Sequence, residues 1–362
     1  MNLAWKPNWS ETKQHYQDWW NHQGLVLGMW GGPQIQQPHA AVPQPPDSAM
    51  PNAFYADPAY KSQHGHWELS RQSTVGDLLP IADTSIGPGS LALFLGSQPS
   101  FSPSTVWYHP NLEDVENPET LPPLRFDPQN AWWQITEQTV RKCTELGRGK
   151  YLTGLPDLVE NLDTLASLRG TQTVLLDCAL RPEWVKAKIA EINQVWFEAF
   201  QRLYDISKQE DGSSTFWAFY AWGPGKTAKV QCDFSSMISP DMFRDLVVPS
   251  LTEQCEWLDH SVYHLDGIQC LCHLDALLEI ESLDAIEWTP GPAAHKGGSL
   301  HWRDLYRRIL DAGKSVQLLG VKPEEVIPML DAIGGKGVYM LTHYESEAQA
   351  EALCQKVAPY RK

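Results

Sequence analysis

Two kinds of apolar pattern divide this chain. In the first, apolar residues recur every three or four positions, as on one face of a helix. "AWWQITEQTVRKCTELG" (131–147) has that spacing. So does the segment after Arg181, with Val185, Ile189, Ile192, Trp196, Phe200 and Leu203 on one face and Pro182 in the first turn. In the second, four to eight apolar residues run together between turn signals, as in a buried strand. "KYLTGLPD", "QTVLLD", "STFWAFYAWG" and, further upstream, "SLALFLG" (90–96) are such runs and predict strands, whereas "DTLASLRG" predicts a helix. Ser239, Pro240 and Asp241 then read as cap, first position and first turn of another helix.

From residue 261 to 358 the alternation becomes regular. "SVYHLDG", "DAIEWTPG", "SVQLLGV" and "GVYMLTHY" predict strands, and each is followed by a helical segment. Short apolar strands alternating with helices indicate parallel β/α units. Their regularity and the chain length favour a (β/α)8 TIM barrel over an open sheet. Residues 1–130 read instead as irregular. An apolar stretch, "GLVLGMWGG", leads into the proline-rich "PQIQQPHAAVPQPPDSAMP", and a second loop-like region covers 98–128. The expected organisation is one α/β barrel domain over 1–362. Its regular units lie in 131–362, and the long Pro/Trp-rich loops of 1–130, with extra helices, form a lid or wall at the C-terminal mouth. No Gly-x-Gly-x-x-Gly follows an early strand, so a dinucleotide fold is not indicated.

Composition narrows the partners. The chain has 362 residues, 42% hydrophobic, with 44 acids against 28 bases and a net charge of −16. Nucleic acid and anionic membrane are therefore not expected as partners. No apolar run approaches ~20 residues, so no membrane span is expected. The first residues lack a signal-peptide pattern, and the seven scattered cysteines form no disulfide framework, so a reduced, cytoplasmic protein is expected. Sixteen tryptophans fit either packing or an aromatic-lined cavity for sugars or flat rings. Trp30, Trp107, Trp222 and Trp288, with Gln317, are the candidate small-molecule substrate contacts.

In a barrel of this kind the site lies at the C-terminal strand ends. That rule selects His264 and Asp266, Glu287 and Trp288, Gln317, and His343 and Tyr344, with Asp157, Asp177, Trp222 and Asp233 from earlier segments. His264 and Asp266 are two apart, so in a strand they share a face. With His343 they make a set of two imidazoles and a carboxylate that suits a divalent metal. Metal-free acid–base work is the alternative, as is a structural role with Asp266 capping the next helix. Glu287 beside Trp288 reads either as a carboxyl raised by an apolar wall, fit to move a proton, or as a buried hydrogen-bonded carboxylate. Asp266 and Tyr344 complete the candidate catalytic set.

The stretch "ISPDMFRDLVVPSLTEQCEWLDHSVYHLDG", followed by "LDALLEIESLDAIEWTPG", resembles the uroporphyrinogen decarboxylase superfamily, which includes cobalamin-dependent methyltransferases. The likeness runs from about Lys150 to the C-terminus and implies a (β/α)8 barrel. The decarboxylase branch has an early arginine-rich segment, and this chain has no basic residue between Lys13 and Lys61. The methyltransferase branch has a His-x-Cys-Gly zinc motif and a second Cys after the last strand. Here His264 and Gly267 match, Asp266 stands in the Cys position, and His343 lies near the place of the second Cys. The resemblance thus implies a metal, zinc first, held by His264, Asp266 and His343 without thiolate. It also implies methyl transfer involving methylcobalamin, a corrinoid carried by a partner protein, with an oxygen-rich small molecule as the other substrate. A metal- or His-dependent lyase or decarboxylase and a non-catalytic ligand-binding barrel are the alternatives. A homodimer is the expected assembly.

Overall fold

The computed structural model describes residues 2–48, 52–102, 105–292 and 294–361. The end of the proline-rich run, 49–51, lies outside them. The strands in chain order are β1 (Leu25–Met29), β2 (Ile81–Ala82), β3 (Gln98–Phe101), β4 (Val106–His109), β5 (Leu152–Thr153), β6 (Ser214–Phe216), β7 (Ala221–Gly223), β8 (Thr227–Gln231), β9 (His260–Asp266), β10 (Ala285–Thr289), β11 (Ser315–Val321) and β12 (Val338–Thr342). Six of these form one parallel sheet in the order β1-β12-β11-β10-β9-β8.

A parallel sheet of this order, with helices between its strands, is the α/β architecture that the alternation predicts. An eight-stranded ladder closed on itself is not present among the described residues. Between β1 and β8 the wall consists of short pieces. β2 and β5 pair in parallel, and a single parallel bridge joins Leu155 to Phe216. The seam between β1 and β2 is closed by Asp77: its amide donates to Leu27 O (3.3 Å) and its Oδ2 accepts from Leu27 N (2.8 Å). A carboxylate there substitutes for ladder hydrogen bonds.

Strand alternation sets which residues face inward. Register places Gln231, His264, Glu287, Gln317, Tyr339 and Val26 at one level around the sheet. Residues of opposite parity, such as Leu25, Tyr263, Ile286, Trp288, Val316 and Met340, pack against the helices in the main core. A second cluster fills the strand-start end. There the helix Trp9–Trp20 brings Tyr16, Trp19 and Trp20 against Val26, Val262, Ala285, Tyr339 and Trp222.

Several expectations are corrected. Residues 1–130 carry regular elements among their loops: the helices Trp9–Trp20 and Pro58–Ser70, and β1 at one edge of the six-stranded sheet. "LALF" is a one-turn buried helix, not a strand. "QTVLLD" lies in the helix Thr171–Leu180. A short apolar run does not separate helix from strand; the ion pairs do, because Asp177 reaches Arg181 at the i,i+4 spacing and also meets Arg169. Asp177 is therefore a structural ion-pair partner and not a strand-end group. "STFWAFYAWG" is not one strand but an antiparallel pair, β6 and β7, around a turn in which Phe219 (φ 60°) and Tyr220 (φ 51°) adopt left-handed backbone. No helix among the described residues is long and apolar enough to cross a membrane.

Candidate active site

Three strand ends converge at the mouth. β9 contributes His264 and, two residues on, Asp266. Gly267 (φ 84°) then turns the chain away, and its amide is held by Thr289 O at 2.8 Å. No side chain caps the short 3-10 helix Ile268–His273, so Asp266 does not serve as a cap. Asp233 follows β8. Ligand atoms of Asp233, His264 and Asp266 all lie within 4.8 Å of one another. One imidazole and two carboxylates at that spacing can hold a divalent cation with open positions for a substrate.

His264 is fixed from below. Its Nδ1 bonds Glu287 Oε2, and Glu287 Oε1 accepts from Thr289 Oγ1 at 2.7 Å. Glu287 is fully buried, and its partners occupy both oxygens. It therefore orients His264 and leaves Nε2 for a metal or a proton. Burial opposes charge on the imidazole, but the Glu287 carboxylate and its hydrogen bond outweigh that, with Asp233 adding, so His264 is held above its ordinary value. Burial and the neighbouring Asp163 push the Asp233 carboxyl up to about 6.

A second polar layer supports Asp233. Asp163 accepts from the amides of Asp233 (2.8 Å) and Phe234 (2.7 Å) and from Gln231 Nε2 (2.9 Å). Gln231 Nε2 also reaches Asp233 Oδ2 at 3.0 Å. Lys229, fully buried, pairs with Asp157 at 2.8 Å and bonds Gln231. Burial disfavours its charge, and Asp157 and Glu160 more than offset that, so the ammonium is retained. Sequence reading missed Lys229, Gln231, Glu160 and Asp163. The alternation in "TAKVQCD", with Lys229, Gln231 and Asp233 two apart, was the available signal.

The other candidates fall as follows. His343 is exposed and is not part of the Asp233–His264–Asp266 group, in which Asp233 takes the third position. Trp288 has the opposite parity to Glu287 and packs outward against Trp302, with ring centroids 5.0 Å apart, so it forms no wall for that carboxyl. Trp222 belongs to the floor cluster, edge-on to Trp9 at 5.5 Å, with its carbonyl accepting from Trp20 Nε1. Tyr344 packs with Met29, Leu78 and Ala350, and burial raises its phenol. Gln317 is buried and donates to Phe219 O at 2.6 Å, which anchors the turn whose Phe219 ring lies 4.8 Å from His264. Trp30 sits next to that turn, edge-on to Phe219 at 6.2 Å. Trp107, on the β3–β4 hairpin, lines an open groove of about 580 Å³ that also includes Gln231, Asp233 and Met237.

The chain thus has a parallel α/β fold with an imidazole–carboxylate group at its strand ends. No family model and no characterised protein sequence matches the chain. In structure it is similar to a methyltransferase from Methanosarcina mazei, with TM-score 0.60, 9% identity, and coverage of 95% of this chain and 98% of that one. It is also matched to a B12-independent methionine synthase from Shewanella sp. W3-18-1, with TM-score 0.47, 9% identity, and coverage of 92% and 96%. The first likeness is one of fold.

Proposed function

We propose that the chain is a methyltransferase of the uroporphyrinogen decarboxylase-like barrel type, acting between a corrinoid carried by a partner protein and an oxygen-rich small molecule. The carrying observation is the convergence of Asp233, His264 and Asp266 at the strand ends, with His264 oriented by a buried carboxylate. In metal sites a histidine ligand commonly donates its other ring N–H to a carboxylate, which fixes the ring and raises its basicity. Two carboxylates and no thiolate make a hard donor set, which suits an oxygen ligand better than a thiol. The wall is taken here as a (β/α)8 barrel with shortened strands on one side.

Asp233, His264 and Asp266 would hold the metal, zinc first among divalent candidates. When bound, it supplies Lewis-acid polarisation of the substrate oxygen. Glu287 keeps Nδ1–H of His264 directed away from the substrate. The Phe219 ring, 4.8 Å from the imidazole, limits water there. Gln231 and Asp163 hold Asp233 in place.

The decisive assay follows methylcobalamin spectrally with polyol, phenol and carboxylate acceptors, before and after chelation. Demethylation that needs bound metal and is lost in His264→Ala supports the reading. No spectral change with any acceptor sinks it. Metal affinity is also expected to rise with pH from about 6 upward, because Asp233, raised to about 6, and His264, raised above its ordinary value, must both shed protons to bind. Calorimetric titration with zinc across that range checks this; a flat profile would exclude both groups as ligands.

The raised His264, paired to Glu287, also favours a second reading: a metal-free lyase in which the imidazolium stabilises developing carboxylate or enolate charge. Turnover that survives exhaustive chelation selects it.

A further inference from the structure

A cavity of about 350 Å³ lies over the ends of β1 and β2, and none of Asp233, His264 or Glu287 lines it. Trp217 and Tyr220, from the turn between β6 and β7, line it together with Phe54. The helix Pro58–Ser70 runs along it with Gly65 in its interior. A helix-interior glycine is unfavourable relative to alanine. Here no close packing requires it: a Cβ added at Gly65 would meet nothing within 4 Å. The missing side chain leaves room in the cavity rather than room for a neighbouring element.

The charges at the wall are unequal. Lys61 is buried, its ammonium held by Asp83 Oδ2 at 3.0 Å and the Ser85 carbonyl, 4.9 Å from the Phe54 ring centroid. Asp83 offsets that charge. Among the described residues Glu68 has no lysine or arginine partner; its Oε2 lies 3.4 Å from His64 Nδ1, which balances it only when the imidazole is protonated. Aromatic faces beside an excess negative charge attract cations, best when these are weakly hydrated.

We propose that this cavity is a binding site for a small organic cation of the alkylammonium class, bounded by Phe54, Trp217 and Tyr220 and balanced by Glu68. It is independent of the methyl-transfer reading, and equilibrium binding tests it without turnover. Calorimetry on the full chain with choline should give one site. Gly65→Leu, which fills the space with a better helix former, and Glu68→Gln, at an exposed position, should each weaken choline by about tenfold or more with circular dichroism unchanged. The uncharged carbon isostere of choline should bind at least about tenfold more weakly than choline. No heat with choline at millimolar concentration, equal binding of the isostere, or full affinity in Gly65→Leu would each overturn the proposal.

Discussion

Glu287→Gln is expected to weaken metal binding by roughly 10–100-fold while leaving the fold intact. The substitution keeps the volume and an oxygen beside His264 Nδ1 but removes the charge. Glu287 is the largest influence holding the imidazole above its ordinary value against burial. Without it, burial dominates, and His264 should titrate lower than in the wild type. The two effects are separable. Proton competition at the metal site should ease as the imidazole pKa drops, yet affinity should still fall, because the ring is less basic and less firmly oriented. Competitive zinc titration measures the first, and NMR titration of the imidazole the second. If neither changes, Glu287 does not position His264, and the site has to be rebuilt around other groups.

The second large effect is on stability. Asp77 is fully buried. It accepts from Arg361 Nη2 and His15 Nδ1, each at 2.7 Å, and from the Leu27 amide at 2.8 Å. One carboxylate thus ties the C-terminal turn and the helix Trp9–Trp20 to the edge of β1. Asp77→Ala should cost about 3–5 kcal/mol, because it strands a partly buried guanidinium and a backbone donor. A urea midpoint shift equivalent to under about 1 kcal/mol would show that the clamp contributes little. Burial opposes the charged form of Asp77, but Arg361 and His15 outweigh it, so the carboxyl is held below the usual carboxylate range. The sign follows: the folded state prefers ionised Asp77, so its contribution is complete above the unfolded value near 3.8 and is lost as pH falls through the still lower folded value. Wild type and Asp77→Ala should therefore differ by a constant amount above about pH 5, and the difference should shrink as pH falls below the unfolded value near 3.8.

The four late β/α units were legible because each strand is a short apolar run and each helix long enough to show its period. "HLDG" was legible for the same reason: side chains two apart in a strand must share a face. The pairing of His264 with Glu287 was not. Those residues are 23 apart, and their contact depends on the register between β9 and β10. Parity, once applied strictly, separates Glu287 from Trp288; adjacent strand residues point to opposite faces, which is why the apolar wall expected beside the carboxyl is absent. Asp233 was visible as a residue near a strand end, but the strand carrying Lys229 and Gln231 was passed over, because Thr227, Lys229 and Gln231 make three of its five positions polar. Those polar residues are inside, where the mouth needs charge.

The sequence by itself determined the α/β class, the strand-end position of His264 and Asp266, and that Asp266 stands where His-x-Cys-Gly would have its cysteine. Only the tertiary structure decided that Asp233 joins them, that Glu287 stands behind His264, and that β1, Asp77 and Arg361 complete the wall. Local patterns report which face a side chain occupies. Which faces meet depends on register, on chain turns such as Phe219–Tyr220, and on contacts between residues hundreds of positions apart, and none of these has a local signature.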